Sequence, residues 1–385
     1  MRPHRLLPGP LRRRVRRLLA RSGYEVKRVR GAGVVVDQYR RPSFDVSTEL
    51  PEGAGDYLRP DNPRLAELRK RYAAADSPMS AHSVWTGDYL RDELDLPWFR
   101  GDNSYVYQFR NLGSDARMKY YVYLRDLATR DPADLLQRLG EDGRFGCWTF
   151  HYEGWPRVSR DLLDSINELY FLDRRLQLLS HRDWTVLDIG AGYGRLAHRA
   201  TSAVPGIVWL CADAVPESSF LCEYYLRHRG VTGAHMLPLD EIDARLSEHR
   251  IDLAVNVHSF SETTEQSVRG WLDLLVKHHV PRLFVVPNDG DRLLTREPDR
   301  TRRPIDPLLA ERGYTRTACE PIFLDRSMPR IMGMDDHFLL YERLPREPDG
   351  SAPSAPPDPS APSAPSAPPD PSRRAPPAAS SSTSS

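Results

Sequence analysis

The sequence predicts an α/β fold in which a mostly parallel sheet is covered by helices. Short apolar runs alternate with helical segments between about residues 159 and 343, as in a parallel sheet with crossover helices. One such run, Trp184–Ile189, leads into glycines at 190, 192 and 194 and then into a helical segment. The chain before residue 159 has no repeat and few periodic runs, so we expect a mainly helical, irregular accessory region there.

Length and composition indicate one catalytic domain with additions. The chain has 385 residues, of which 40% are hydrophobic and 28% charged, the balance of a globular protein. We therefore divide it into a basic N-terminal segment, an accessory and acceptor-binding region, the α/β domain and a tail: residues 1–45, 46–158, 159–345 and 346–385.

The two ends differ from the rest. Residues 11–21, LRRRVRRLLAR, have apolar residues at helical spacing with arginines between them, which predicts a helix with one apolar and one basic face. Such a helix suits an anionic membrane surface or a partner, and the alternative is a short basic helix packed on, or frayed from, the body. The tail repeats SAPSAPPDPS at 351–360 and 363–372, which predicts a disordered, partly polyproline-like segment without a catalytic role.

Charge and hydropathy exclude several classes of protein. Residues 1–30 hold eleven Arg or Lys against one acid, so the formal net charge of +1 leaves the remainder at −9. An acidic body argues against nucleic-acid binding. No apolar run approaches the roughly 20 residues of a membrane span, and the four cysteines form no Cys-x-x-Cys pair. We expect a cytoplasmic protein.

The glycine turn at residues 190–194 is the feature that best indicates which ligand the protein binds. Glycine is required where the backbone turns sharply and approaches a ligand closely. The motif of NAD-binding folds is Gly-x-Gly-x-x-Gly. In Gly190-x-Gly192-x-Gly194 the third glycine comes one residue earlier, so the spacing favours S-adenosylmethionine (SAM) over NAD. Asp188, just before the turn, is placed to hold the amides of the turn and to lie near the ligand's ammonium group.

Two acids follow the next predicted strands. Asp213 ends the strand Ile207–Ala212, where a carboxylate can accept hydrogen bonds from both ribose hydroxyls. Asp240 follows the strand region His235–Leu239 and is a candidate contact on the adenine side of the cofactor. Its alternative role is to cap a helix that begins near Glu241.

The fourth predicted strand, Asp252–Val257, delivers His258 and Glu262 to the carboxyl edge of the sheet, where ligands of such folds bind. Methyl transfer to an alcohol requires removal of the hydroxyl proton, and an imidazole titrates near neutral pH. His258 is therefore the candidate base, and Glu262 would orient it or bind a neighbouring hydroxyl. The alternative for His258 is a hydrogen-bonded structural histidine.

The fifth predicted strand, Arg282–Val286, ends in the oxygen-rich sequence PNDGD at 287–291. Such residues could hold magnesium, but they are also the residues of which turns are made, and we expect no metal. Two closing strands are predicted at Thr315–Leu324 and His337–Arg343.

The aromatic segment 96–111, LPWFRGDNSYVYQFRN, has two interpretations. Its rings, Trp98, Tyr105, Tyr107 and Phe109, are typical of a core. The interleaved Asp102, Asn103, Gln108 and Arg110 would equally suit a hydroxyl-rich ligand.

Four segments together carry a family resemblance: VLDIGAGYGRLAHR at 186–199, NVHSFSE at 256–262, DNSYVYQFRN at 102–111 and DLLDSINELYFL at 161–172. Over about residues 90–343 the chain resembles the sugar O-methyltransferases encoded with bacterial antibiotic and surface-glycan pathways. The resemblance implies a Rossmann-like class I methyltransferase sheet of seven strands with the last one antiparallel, SAM as cofactor, a sugar or glycoside hydroxyl as acceptor and a place in secondary metabolism.

The residues that match the general cofactor pattern are Asp188, Gly190, Gly192, Gly194 and Asp213. His258 and Glu262 are chemical inferences at matching positions. Two other functions stay open at this point. One is an O-methyltransferase that acts on a polyketide or another small-molecule hydroxyl. The other is a non-catalytic scaffold that keeps the fold and uses its basic and Pro-rich ends as partner contacts.

Overall fold

The computed structural model describes residues 24–29, 33–38, 45–46, 49–82, 84–101, 106 and 116–343. The predicted basic helix at 11–21, the tail, and Asp102, Asn103, Tyr105, Tyr107, Gln108, Phe109 and Arg110 lie outside these ranges. The strands are β1 Tyr24–Val29, β2 Gly33–Gln38, β3 Asp45–Val46, β4 Trp148–Thr149, β5 Thr185–Ile189, β6 Val208–Ala212, β7 Ala234–Leu237, β8 Leu253–Val257, β9 Arg282–Val286, β10 Tyr314–Pro321 and β11 His337–Arg343.

The α-helices of the described residues are α1 Ala54–Tyr57, α2 Pro63–Ala75, α3 Gly87–Glu93, α4 Ala116–Ala128, α5 Leu135–Arg138, α6 Arg160–Leu176, α7 Arg195–Ala203, α8 Pro216–His228, α9 Ile242–Leu246, α10 Glu265–Lys277, α11 Asp306–Glu311 and α12 Met328–Met332. Short 3₁₀ helices lie at Pro78–Ser80, Leu96–Trp98, Arg144–Gly146, Leu178–Ser180 and Ser259–Glu262. Among the described residues, no helix combines the length and the apolar composition that a bilayer span requires.

Strands β5 to β11 form one seven-stranded sheet in the order β10-β11-β9-β8-β5-β6-β7. β5, β6, β7, β8 and β9 pair in parallel, whereas β11 is antiparallel to both of its neighbours. The predicted sheet of seven strands with the last one antiparallel is therefore confirmed. β1 and β2 form a separate antiparallel hairpin, and β3 pairs with β4.

The chain leaves β5 in one direction, towards β6 and β7, and later returns to its other side as β8 and β9. The carboxyl end of β5 is thus a switch point, the place where open α/β sheets bind ligands. β5 is buried along its whole length, and its side chains alternate between two apolar layers. Val186 faces one layer, while Leu187 and Ile189 face the other.

Helix α6 begins as its sequence predicts. The Ser159 side chain caps it by accepting a hydrogen bond from the Leu162 amide at 3.1 Å. Its apolar face packs on the sheet and buries Leu162, Leu163, Ile166 and Leu169. The first turn of α6 therefore lies beside the carboxyl end of β5.

The accessory region is helical and irregular, as predicted, and it packs directly on the α/β domain. Tyr72 of α2 hydrogen-bonds to Ser219 of α8 at 2.7 Å, and Arg64 of α2 pairs with Glu223 at 2.9 Å. Deeper inside, the Arg100 guanidinium pairs with Glu141 at 2.7 Å, and neither side chain is exposed to solvent. The region is therefore an integral part of the folded body.

Candidate active site

A cavity of about 590 Å³ opens at the carboxyl ends of β5, β6, β8 and β9. Its volume lies in the range typical of sites for small organic ligands. The walls come from the turns that follow these strands, from the first turn of α6, from residues 333–336 before β11, and from Met79, His82 and Trp85 of the accessory region. The sequence prediction placed the site at this edge of the sheet.

The glycine turn after β5 approaches the turn after β8 more closely than any side chain would allow. Gly190 has a φ of 71°, and a Cβ added there would lie 2.3 Å from both Cβ and Oγ of Ser259. The side chain of buried Asn256 joins the two turns, because it donates to the Ile189 carbonyl and accepts from the Phe260 amide, each at 2.9 Å. Gly190 is thus required by the packing of these two turns.

Asp213, at the end of β6, holds the glycine turn. One carboxylate oxygen accepts from the Gly192 amide at 3.0 Å, and the other accepts from the Val215 amide at 2.9 Å. Burial raises the pKa of Asp213 to about 7, against the effect of these amides. Both Asp213 and Gly192 line the cavity.

Asp188 differs from its predicted role in one respect. Its carboxylate accepts from the indole N–H of Trp209 at 2.9 Å, and Asp213 instead provides the contact to the turn amide. The carboxyl group of Asp188 is buried but lines the cavity, and burial raises its pKa to about 7. Contact between Asp188 and the ammonium group of a ligand therefore stays a prediction.

Two predicted cofactor residues lie outside the cavity lining. Gly194 caps α7, and a Cβ there would meet Cys222 Sγ at 3.1 Å, so it serves packing between α7 and α8. Asp240 accepts two hydrogen bonds from Arg71, at 2.8 and 2.9 Å, and the cap of α9 is Glu241. Asp240 is thus paired with Arg71 and does not cap α9, while its contact on the adenine side of the cofactor stays a prediction.

His258 lines the cavity at the end of β8, with a left-handed backbone φ of 66°. Its Nδ1 is buried and has no hydrogen-bond partner among the described residues, while the side chain hydrogen-bonds to Asn288 and to the Pro287 backbone. Burial, together with the charges of Arg160 and Arg195, lowers the pKa of His258 to about 3. A neutral imidazole of such low basicity has little driving force to take up a proton.

Glu262 connects this histidine to the accessory region. Its carboxylate accepts from the indole N–H of Trp85 at 2.7 Å and from the Asn288 side chain at 3.2 Å. Because Asn288 also hydrogen-bonds to His258, Glu262 orients the imidazole indirectly, through the amide. Burial raises the pKa of Glu262.

The cavity contains polar groups that the sequence did not single out: Arg160, Asp161, Asp164, Arg195, Asp335 and Asp336. Arg160 donates to Asp164 at 3.0 Å across one turn of α6. Arg195 forms two hydrogen bonds to Glu168, at 2.8 and 2.9 Å. Arg160, Asp161 and Asp164 resembled ordinary helix-surface charges, so only the position of α6 against the sheet identifies them.

The oxygen-rich turn after β9 is used for pairing within the protein. Asp289 pairs with Arg302, and Asn288 donates to Glu262. Within the described residues, no three His, Cys, Asp or Glu side chains are grouped as a metal site would require.

No family model and no curated protein matches the sequence. Several solved structures match at low identity. One is a SAM-dependent methyltransferase from Aquifex aeolicus, 16% identical over 44% of this chain and 87% of that one, with a TM-score of 0.34. Another is magnesium protoporphyrin IX methyltransferase from Synechocystis PCC 6803 with bound SAM, 14% identical over 59% of this chain and 97% of that one, also with a TM-score of 0.34.

A third match is a glycopeptide N-methyltransferase in complex with sinefungin, 12% identical over 46% of this chain and 86% of that one, with a TM-score of 0.34. The fold follows from the sheet itself, in which five parallel strands, a switch point at β5 and the antiparallel β11 are combined. This chain has the Rossmann-like class I methyltransferase fold.

Proposed function

We propose that this protein is a SAM-dependent O-methyltransferase that methylates a hydroxyl of a sugar or glycoside. The observation that carries the proposal is the pair of buried carboxylates, Asp188 and Asp213, beside the glycine turn at the switch point of the sheet.

The residues beside the turn suit the cofactor. The Asp213 carboxylate accepts one amide hydrogen on each oxygen and a further hydrogen bond from the Ser218 side chain, which leaves one of its roughly four acceptor sites for a ribose hydroxyl. Asp188, when ionised, supplies a buried negative charge for an ammonium group. The backbone of Gly190 and Gly192 borders the cavity without side chains, which permits close approach of a ligand. When bound, SAM supplies a methyl group on a positively charged sulfur.

The rest of the cavity suits a hydroxyl-rich acceptor. His258, Asn288 and Arg160 bring hydrogen-bonding groups to its wall, and carboxylates stand beside them. Neighbouring hydroxyls, each both donor and acceptor, match such a mixed set. A polyketide acceptor would bury larger apolar surfaces, and the polar lining favours a sugar over it.

Incubation of the protein with methyl-labelled SAM and a panel of methyl glycosides tests this proposal. We expect label on a sugar oxygen, located by mass spectrometry and NMR. Transfer to a nitrogen or carbon acceptor instead would remove the sugar assignment, and transfer to a polyketide hydroxyl would favour the second acceptor class.

A further inference from the structure

The carboxylates that line the cavity differ in whether the described residues provide them with hydrogen-bond donors. Five accept hydrogen bonds from within the chain: Asp161 from Arg100 and Tyr193, Asp164 from Arg160, Asp188 from Trp209, Asp213 from Gly192, Val215 and Ser218, and Glu262 from Trp85 and Asn288. The side chains of Asp335 and Asp336 accept none from the described residues. Asp335 is exposed and Asp336 is half-buried.

The backbone fixes the position of Asp336. Its carbonyl accepts from the Ile322 amide at 3.0 Å, and β11 begins at the next residue. On the other side, α12 ends at Met332, whose carbonyl accepts from the buried Lys119 ammonium at 2.8 Å. Residues 333–336 are thus held at both ends while they form part of the cavity wall.

Four charged or titratable groups face the Asp336 carboxyl: Arg160 and Asp164 from α6, and Asp335 and His337 from its own segment. Burial is the largest influence and raises the pKa of Asp336 to about 6, with further upward contributions from Asp164 and Asp335. Arg160 acts on both Asp336 and His258 and lowers the pKa of each. At neutral pH, Asp336 is therefore ionised and is the stronger base of the two.

We propose that Asp336, rather than His258, accepts the proton of the acceptor hydroxyl. The O–H bond breaks towards the Asp336 carboxylate, the oxygen electron pair forms the new C–O bond to the methyl carbon, and the C–S electron pair stays on sulfur as a neutral thioether. Arg160 donates to the acceptor's neighbouring oxygen, so the preferred substrate class is a vicinal diol. His258 and Asn288 then orient the acceptor by hydrogen bonding.

The assignment of Asp336 as the base rests on the proposed function. The test is therefore designed so that failure of this assignment and failure of the proposed function give different results. Asp336→Asn is compared with wild type and with Asp325→Asn, which alters an exposed acid that precedes α12 and lies outside the cavity lining. Each protein is assayed with methyl-labelled SAM and a panel of methyl α-glucoside, methyl α-rhamnoside and glycerol from pH 5 to 8. Calorimetry with S-adenosylhomocysteine and thermal unfolding check cofactor binding and folding.

We expect Asp336→Asn to lower kcat at least ~100-fold, the usual effect of losing a general base, with cofactor affinity within about twofold of wild type. Asp325→Asn should stay within about twofold in every readout. With SAM saturating at every pH, kcat/KM for the acceptor in wild type should rise with pH to a plateau, half-maximal near the Asp336 pKa of about 6, and this dependence should be lost in Asp336→Asn. Added formate should partly restore turnover of Asp336→Ala, which a purely structural role would not allow.

Turnover of Asp336→Asn within about threefold of wild type would overturn the inference and leave the proposed function standing. So would a loss of turnover in Asp335→Asn that Asp336→Asn does not share. A wild type that methylates none of the panel would overturn the proposed function, and the inference would fall with it.

Discussion

The Asp213 carboxylate accepts the Gly192 amide hydrogen at 3.0 Å and thereby ties the end of β6 to the glycine turn after β5. The Asp213 side chain, on the strand next to β5, thus fixes the backbone of the glycine turn that a ligand would approach. Asp188 and Asn256 hold the same region from β5 and β8, through Trp209 and the Ile189 carbonyl. The site is therefore preorganised by contacts that arise from three neighbouring strands.

Gly190→Ala should abolish binding of S-adenosylhomocysteine and destabilise the fold, because the new Cβ would lie 2.3 Å from Ser259. Gly154→Ala is the matched control: its φ of 76° is similar, but no atom lies within 4 Å of the added carbon, so only the backbone strain of ~1 kcal/mol should appear. The double variant Gly190→Ala with Ser259→Gly should recover part of the stability. Equal free energies of unfolding for the two Ala variants would show that the close approach is misplaced.

Asp188→Asn should raise the free energy of unfolding at pH 8 by ~2–4 kcal/mol. The raised pKa, about 7, means that the folded state binds this proton more tightly than the unfolded chain. Stability is therefore greatest below the ordinary aspartate pKa and falls as pH rises towards 7, and the neutral amide removes this fall. Urea unfolding at pH 5 and pH 8 measures the difference.

Asp188→Ala provides the comparison for that variant. It removes the acceptor of the buried Trp209 N–H, which Asn retains, so it should be less stable than Asp188→Asn by ~1–3 kcal/mol. A wild-type stability that does not decline between pH 5 and pH 8 relative to Asp188→Asn would contradict the assigned burial of this charge.

Affinity for S-adenosylhomocysteine should rise between pH 5.5 and 7.5. Burial holds the pKa of both Asp188 and Asp213 at about 7, so at the lower pH they are mostly protonated and neutral. An ammonium-bearing ligand favours the ionised carboxylate, and its binding should release a proton. Calorimetry in buffers of different ionisation enthalpy measures that release, which should shrink in Asp188→Asn; an affinity independent of pH would rule out ligand contact with these groups.

Arg100→Met should destabilise the protein by ~3–5 kcal/mol, because two buried carboxylates lose a charged partner: Asp161, and Glu141, which keeps Arg199. The matched control is Arg91→Met, which breaks an exposed pair with Asp88 and should change stability by no more than ~1 kcal/mol. Denaturant unfolding compares the two variants. Equal losses would mean that the accessory region does not depend on its buried ion pairs.

The sheet was predictable because its signals are local. An apolar run, a glycine turn and a capped helix lie within a few residues of one another, and Ser159 and Gly194 mark where α6 and α7 begin. The seven predicted strands are present with ends shifted by no more than three residues. The position of Asp213 at the edge of the sheet was predictable for the same reason, since it follows a strand directly.

The environment of each side chain was less predictable, because it depends on residues far away in the chain. Asp240 is paired by Arg71, and Glu262 by Trp85, across about 170 positions in each case. The low pKa of His258 arises from burial and from Arg160 and Arg195, which belong to two different helices. No spacing pattern in the sequence encodes these contacts. His258 lines the cavity as its position after β8 predicts, but its low pKa makes it a weak base.

The most direct measurement is titration calorimetry of the full chain with S-adenosylhomocysteine, beside Gly192→Val. Gly192 borders the cavity with a φ of 58°, so a β-branched side chain there would both strain the turn and block approach of a ligand. We predict saturable binding at one site per chain in wild type and none in a folded Gly192→Val. No binding to wild type, or unchanged affinity in the variant, would contradict the assignment of this cavity to SAM and favour a protein that keeps the fold without the reaction.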